Sequence, residues 1–308
     1  MLRILALVLA FGLWATPAAA DIVSDCNQEG DLDLTIQGCT ALIEKGPQEG
    51  KLASAYNNRG IAYNDKSQYD QAIDDYDMAI ALDPKSAAAY NNRGNAYRRK
   101  SQYDRAIEDY DRAIALDLKY AAAYNNRGNA YDDKGQHDRA IEDYDRAIAL
   151  NPKFATAYSN RGVAYVSKGQ YDRAIDDYDR AIALDSKYAA AYTNRGVAYS
   201  DKDEYDRAIV DDNSAIALVP DEARYYNNRC WHQAKSGDFQ NALEDCNRSL
   251  ELNPEDAAAT DSRAFVFEKL NNLESAEQDY RKALSLSPGM PSSVEGLARV
   301  LSALGKTQ

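Results

Sequence analysis

The hydrophobic and polar positions of this chain recur with a period of 34 residues, and within each period their spacing is helical. In residues 53–86, Tyr56 and Tyr63 lie one heptad apart on one face of a predicted first helix. A polar break follows, and a second apolar run with the same rhythm extends from Tyr69 to Ile80. Each period therefore predicts two amphipathic helices joined by a short turn.

This unit is copied along the chain without insertion or deletion. Proline cannot continue a helix, so Pro84 marks the end of the second helix, and proline returns at the same place in four later copies. Self-similarity at a fixed period is typical of a repeat array, in which each unit packs on its neighbours. Seven copies are predicted, at residues 53–86, 87–120, 121–154, 155–188, 189–222, 223–256 and 257–290.

The segments on either side differ from the repeat. Residues 1–20 combine a positive start at Arg3 with an apolar stretch and a small-residue end, which predicts a signal peptide and export to the periplasm. Residues 21–52 predict a degenerate first hairpin that covers one end of the array, and residues 291–308 predict a capping helix at the other. No later apolar run is long enough to predict a membrane span.

Four cysteines in an exported chain are expected to form disulfides. They fall into two local pairs, Cys26 with Cys39 and Cys230 with Cys246, separated by most of the array. Because the ends of a solenoid lie several repeats apart, only the local connectivity is predicted. The alternative is that the cysteines are small buried thiols.

An excess of acidic residues limits the kinds of partner. The chain has 36 Lys and Arg against 49 Asp and Glu, which gives a net charge of −13 at pH 7. Nucleic acids and anionic lipid surfaces are held mainly by clustered cations. The composition therefore argues against both, and the compact basic run at residues 98–100 is interpreted as a solvated helix end.

The repeat resembles a known family. The tetratricopeptide repeat (TPR) pattern is matched in residue type and spacing by Tyr56, Gly60, Tyr63, Ala72, Tyr76, Ala79 and Pro84. The resemblance covers all seven copies, and it implies an all-α, α-α superhelical solenoid of helix hairpins whose first helices line a concave groove. One position departs from the pattern, since Arg59 and its copies stand where the family usually has an apolar residue.

Each of these arginines has a matching aspartate in its own repeat. The two residues lie at similar heights on the two helices of a hairpin, which predicts a charge-assisted hydrogen bond between them. The alternative is an arginine ladder that binds an anionic ligand. The predicted structural pairs are Arg59–Asp75, Arg93–Asp109, Arg127–Asp143, Arg161–Asp177, Arg195–Asp211, Arg229–Asp245 and Arg263–Asp279.

The pattern contains no catalytic constellation and no metal site. His137 and His232 lie almost three repeats apart, so they cannot share a site. Adjacent carboxylates such as Asp132 and Asp133 point to different sides of a helix, and the ligand pattern of a calcium loop is missing. The chain is therefore predicted to be non-catalytic and to use no cofactor.

Recognition of another protein or peptide is the remaining function. Asparagine amides offer donors and acceptors to an extended peptide backbone, and aromatic side chains nearer the C-terminus offer anchors. The alternatives are that the asparagines bond neighbouring helices or water, and that Trp231 only packs beside a disulfide. The predicted partner-binding residues are Asn57, Asn91, Asn92, Asn95, Asn125, Asn126, Asn129, Trp231 and Phe265.

The sequence thus predicts an exported TPR scaffold or adaptor that binds a partner segment in its groove. Two other functions stay open at this point. One is self-association as a structural protein, and the other is an accessory or regulator of an envelope enzyme that contacts glycan or cell wall.

Overall fold

The computed structural model describes residues 24–27, 30–46 and 51–306, and all regular structure in these ranges is helical. The predicted signal peptide at residues 1–20 lies outside the described residues. Within them, no helix combines the length and the hydropathy needed to cross a bilayer. The predicted all-α fold of consecutive antiparallel helix pairs is confirmed.

The chain divides into two compact units, a first that ends at Ala130 and a second that begins at Tyr131. Helices of the first unit are α1 (Leu32–Glu44), α2 (Lys51–Asp65), α3 (Tyr69–Leu82), α4 (Ala87–Arg99) and α5 (Tyr103–Leu116), and α6 (Ala121–Asp133) contains the boundary. The second unit continues with α7 (His137–Leu150), α8 (Ala155–Ser167), α9 (Tyr171–Leu184), α10 (Ala189–Ser200), α11 (Tyr205–Leu218), α12 (Ala223–Ser236), α13 (Phe239–Leu252), α14 (Ala257–Lys269), α15 (Leu273–Leu286) and α16 (Pro291–Ala303).

The turn between the two helices of a repeat requires one residue with left-handed backbone. Gly135, Gly169 and Gly237 supply it in three repeats, with φ between 69° and 95°. Other repeats place a serine, aspartate or asparagine there, such as Ser67 at φ 59°. Short polar side chains tolerate this conformation better than apolar ones do, so the turn keeps its geometry without glycine.

A glycine and a tyrosine form the tightest contact inside a hairpin. A Cβ atom added to Gly60 would lie 2.7 Å from Cε1 of Tyr76, and the same contact joins Gly94 to Tyr110. Both tyrosine rings are fully buried. Glycine is therefore needed on the first helix because the second helix buries a ring against its backbone.

The two flanking helices cover apolar surface of the neighbouring repeats. Helix α1 packs on α2, and Leu42 and Ala55 share a buried cluster with the first two cysteines. Helix α16 packs on α15 and α14, where the backbone of Gly296 lies against the ring of Tyr280. The last hairpin thus receives from α16 the kind of glycine–tyrosine contact that other repeats make internally.

Candidate functional site

The arginines of the first helices bond the aspartates of the second helices in two places each. In the fourth repeat, Nε and Nη2 of Arg161 donate to the two carboxylate oxygens of Asp177 at 2.8 and 2.6 Å. The aspartate side chain is 7% exposed and the arginine side chain 19%. The same fork joins Arg59–Asp75, Arg93–Asp109, Arg195–Asp211, Arg229–Asp245 and Arg263–Asp279.

From the second repeat onward, the third nitrogen of the arginine bonds the second helix of the repeat before it, whereas that of Arg59 donates to the hydroxyl of Thr40 in α1. Nη1 of Arg93 donates to Asp77 at 2.5 Å, and Nη1 of Arg229 donates to the amide oxygen of Asn213 at 2.6 Å. Equivalent bonds link Arg127–Asp111, Arg161–Asp145, Arg195–Asp179 and Arg263–Asn247. Each of these guanidinium groups therefore bonds its own hairpin and the preceding hairpin. The bond to the preceding hairpin was not predicted from the sequence. The signal was available, because the position two residues after each paired aspartate is Asp or Asn in the first six repeats.

Burial and hydrogen bonding shift the pKa of each partner in these pairs in opposite directions. The bonds to Asp109 raise the pKa of Arg93, whereas burial raises the pKa of the Asp109 carboxyl above its ordinary value. The forked geometry requires a charged carboxylate, so we assign both groups as ionised at neutral pH. Their donors and acceptors are occupied within the fold, and the geometry therefore does not support an arginine ladder that awaits an anionic ligand.

The structure also uses several of the predicted groove asparagines internally. Asn92 donates to Asn57 at 3.1 Å, and Asn126 donates to Asn91 at 3.0 Å, so amides of neighbouring first helices bond one another. Asn91 and Asn125 are each 4% exposed. These amides bond neighbouring helices or are buried, as the alternative given above expects, and their recognition of a peptide backbone stays a prediction.

Two further predicted asparagines lie half-buried on the first helices α4 and α6. Asn95 accepts a hydrogen bond from the hydroxyl of Tyr110 at 2.8 Å, which ties it to the second helix of its own repeat. Asn129 is the residue at the same place one repeat later. The asparagines of the first unit therefore serve packing between helices more than they form an open polar surface.

An apolar row lies on the first helices of the second unit. Val163 and Val197 are 36% and 37% exposed, and they are followed at the same repeat position by Trp231 and Phe265, both partly exposed. The rings of Trp231 and Phe265 contact each other, with centroids 5.4 Å apart and planes tilted by 48°. We call these two residues the aromatic pair. The structure thus brings together the two aromatic residues that the sequence singled out.

Two lysines border the aromatic pair. Nζ of Lys235 lies 5.4 Å from the ring of Trp231, and Nζ of Lys269 lies 5.1 Å from the ring of Phe265. Each lysine stands one turn after its aromatic residue, in the last turn of α12 and of α14. The surface is therefore apolar at its centre and positively charged at one border.

A buried acid and histidine were not predicted as partners. Oδ2 of Asp212 lies 2.6 Å from Nδ1 of His232, and the two side chains are 0% and 3% exposed. Burial raises the pKa of Asp212, the bond to His232 opposes that shift, and the second carboxylate oxygen has no partner. The sequence did contain a signal for this pair. Asp212 stands at a repeat position where the preceding repeats have tyrosine, and His232 stands at one where they have alanine.

The structure joins Cys26 to Cys39 and Cys230 to Cys246 by disulfides. These are the two local pairs that the sequence predicts. The second bridge belongs to a buried cluster against which Phe265 packs. In the part of the chain that the structure describes, no three His, Cys, Asp or Glu side chains are arranged to hold a metal ion.

Comparisons with known proteins agree with this architecture. Family models described as TPR repeat or tetratricopeptide repeat match residues 53–86, 76–108, 94–135, 129–169, 164–203, 223–256 and 262–289. A search of curated proteins gave no match.

Several solved structures share the fold. The APC/C hetero-tetramer Cut9-Hcn1 is 19% identical with a TM-score of 0.70, and the match covers 88% of this chain but only 52% of that one. A tetratricopeptide repeat protein from Parabacteroides merdae is 21% identical, with a TM-score of 0.63 and coverage of 82% and 100%. PilF of Pseudomonas aeruginosa is 18% identical, with a TM-score of 0.61 and coverage of 70% and 97%.

At these identities the structural likeness concerns the fold alone. The family models, by contrast, match most of the chain repeat by repeat, and they do so at the positions where the glycine–tyrosine contacts and helix ends occur. This chain belongs to the tetratricopeptide repeat family.

Proposed function

We propose that this TPR protein is a non-catalytic scaffold that binds a segment of a partner protein on the first helices of its second unit. Membership of the TPR family supports a protein-interaction scaffold in general. The observation that carries this choice of surface is the aromatic pair, whose two rings contact each other and stay partly exposed on the first helices of the second unit. Large aromatic side chains that can be fully covered by a partner are typical binding anchors.

The apolar row gives this surface a direction. Val163, Val197, Trp231 and Phe265 stand on α8, α10, α12 and α14, one repeat apart. A partner segment that runs along them crosses successive first helices and contacts one side chain on each. Binding then depends on residues that vary between repeats, because the repeated arginines and asparagines already have partners.

We further propose that the chain is exported to the periplasm. Residues 1–20 have the pattern of a signal peptide, and the cysteines of the described residues are all disulfide-bonded. Thiol alkylation of native cells before and after reduction tests this. All four cysteines are expected to react only after reduction, and reaction of unreduced cysteines in intact cells would argue against export.

Site-specific photo-crosslinking tests the binding proposal. A photoreactive residue at Val197 or at Phe265 should yield crosslinks to a partner in the native compartment. The matched control is Glu244, which is exposed on the second helix α13 of the sixth repeat. Crosslinks from Val197 should disappear when Trp231 is also replaced by alanine. Thermal unfolding of this variant at an unchanged temperature shows that the loss does not come from misfolding.

Two results would contradict the proposal. One is equal crosslinking from Glu244 and from Val197, which indicates contact without a preferred surface. The other is crosslinking from Val197 that persists unchanged in Trp231→Ala, because the aromatic pair would then contribute nothing to binding.

A further inference from the structure

The charged residues beside the aromatic pair indicate the charge of the partner segment. Lys168 and Lys202 follow other first helices of the same unit, and each bonds a carboxylate of the repeat before it, Asp138 and Asp172. Lys235 and Lys269 differ from them. Among the described residues neither has a carboxylate within ion-pair distance, although the chain has 49 acidic residues.

The acidic residues nearest to these lysines along the chain are already engaged. Asp238, three residues after Lys235, accepts hydrogen bonds from the backbone and side-chain nitrogens of Asn241. Glu268 precedes Lys269 but accepts hydrogen bonds from Nε and Nη2 of Arg299 at 2.9 and 3.0 Å and from the hydroxyl of Tyr280. Its charge is therefore paired with the capping helix. The two ammonium groups remain the local source of unpaired positive charge beside the aromatic pair.

Resting on the proposed function, we infer that the partner segment is acidic, with an apolar side chain that covers Trp231 and Phe265 and carboxylates that meet Lys235 and Lys269. Lysine ammonium groups on aromatic rings are only partly desolvated before binding, and a carboxylate can approach each from the solvent side. The rest of this acidic chain repels an acidic segment. Attraction at this border and repulsion elsewhere would fix where the segment binds.

A purely structural role for the lysines predicts a different behaviour. A cation in the last turn of a helix interacts favourably with the helix dipole. If that were their whole role, removing their charge would change the stability of α12 and α14 slightly and leave peptide binding unchanged. Binding measurements with a charge-matched control separate the two roles.

The test uses the full chain with Trp14→Phe, so that Trp231 is its single tryptophan and its fluorescence reports on the aromatic pair. The probes are three synthetic peptides with one central Leu-Phe pair, flanked on both sides by glutamates, by glutamines or by lysines. We expect the glutamate peptide to change Trp231 fluorescence and to bind most tightly. Its affinity should fall at ~0.5 M salt, where exposed ion pairs are screened.

The decisive variant is Lys235→Gln/Lys269→Gln. It should weaken binding of the glutamate peptide by roughly threefold to tenfold, as expected for two partly exposed ion pairs. The control is Lys153→Gln/Lys187→Gln, which makes the same change of net charge at exposed turns and should leave binding unchanged. Thermal unfolding of both variants checks that they fold alike.

Four results would overturn the inference. They are equal binding of all three peptides, tighter binding of the lysine peptide, no binding of the glutamate peptide at ~1 mM, and unchanged binding of the glutamate peptide to Lys235→Gln/Lys269→Gln. The proposed function is judged separately by the crosslinks from Val197. If those crosslinks depend on Trp231 while the lysine substitutions have no effect on peptide affinity, the surface binds partners but does not select acidic ones.

Discussion

Single residues show how one buried space can be filled in three ways. In the first, second and fourth repeats the ring of a tyrosine on the second helix lies against a glycine on the first, as Tyr178 lies against Gly162. In the sixth repeat Cys230 and Cys246 occupy these two places, and their disulfide fills the space that a ring fills elsewhere. The bridge is thus a local substitute for a packing contact.

The fifth repeat uses a third solution that extends into the next repeat. Asp212 occupies the tyrosine place, and the smaller side chain leaves more room around Gly196, where an added Cβ would have its nearest contact at 3.3 Å. His232 of the sixth repeat stands where the first five repeats have alanine, and its ring bonds Asp212. Two unusual residues compensate for each other across a repeat boundary.

A double-mutant cycle tests this compensation. His232→Ala leaves a buried carboxylate without its partner and should lower the free energy of unfolding by about 3–5 kcal/mol. Asp212→Tyr alone forces a ring against His232 and should lower it by about 1–3 kcal/mol. The double variant restores the tyrosine–alanine pair seen at Tyr178 and Ala198, so it should recover most of the loss. Urea unfolding of the four proteins measures the coupling, and strictly additive effects would contradict it.

At the scale of helices, the arginine forks join elements that sequence separates. Each fork ties the first helix of a repeat to its second helix, and from the second repeat onward the third nitrogen ties the first helix to the second helix of the preceding repeat. Asparagine bonds between neighbouring first helices, such as Asn92 to Asn57, add a second link between repeats. Neighbouring hairpins are therefore coupled by polar bonds as well as by apolar contact.

The two bonds of one arginine should differ in strength. Arg195→Ala leaves the carboxylate of Asp211, 2% exposed, without its donors and should lower the free energy of unfolding by about 3–5 kcal/mol. Asp179→Asn removes only the charge of a side chain that is 52% exposed, and should lower it by less than about 1 kcal/mol. Asn213 and Asn247 already fill that place in later repeats. Equal losses in urea unfolding would mean that burial does not decide the strength of these bonds.

The capping helix α16 has a bond that depends on pH. Burial alone would raise the pKa of Glu268, but its hydrogen bonds from Arg299 and Tyr280 outweigh burial and lower it. A carboxyl whose pKa is lower in the folded state stabilises the fold above its unfolded pKa, and this contribution disappears as pH falls through the folded pKa. Below that value both states hold the proton, so nothing is left of the contribution.

We therefore expect Glu268→Gln to destabilise the protein at neutral pH and to have little effect in acid. The difference in unfolding free energy between the two proteins should be largest at about pH 6–7 and should shrink below about pH 4.5. Hydrogen exchange of α16 should rise in the variant at neutral pH. A difference that stays constant with pH would show that the ionised carboxylate is not the stabilising species.

For the molecule as a whole, the repeat made the fold predictable and left part of the surface unpredictable. A 34-residue period with helical spacing in every copy leaves one way to pair the helices. An arginine and an aspartate stand at the same two positions of every repeat, and this regularity predicted the forks. A helical position does not reveal whether a neighbouring amide lies within reach. The bonds of Asn92 and Asn126 are therefore visible only in the structure. The pairing of His232 with Asp212 could not be predicted in this way, because it crosses a repeat boundary.

Each of the two units contains one disulfide, and this arrangement predicts how the whole molecule responds to reduction. Cys26–Cys39 closes a separation of 13 residues in the first unit, and Cys230–Cys246 closes one of 16 in the second. In the loop-closure account each is worth about 3 kcal/mol. Dithiothreitol should therefore lower the stability of both units.

The variant Cys230→Gly/Cys246→Tyr separates the two bridges. It replaces the second disulfide with the glycine–tyrosine contact of Gly162 and Tyr178, so the second unit should keep its packing without a bridge. Under reducing conditions this unit should be more stable than in the reduced parent chain, since a ring fills the space left between two separate thiols. Hydrogen exchange during urea titration, with and without dithiothreitol, follows both units at once. In the variant, reduction should accelerate exchange in the first unit alone. Acceleration in the second unit as well would show that the effect of Cys26–Cys39 is not confined to the unit that contains it.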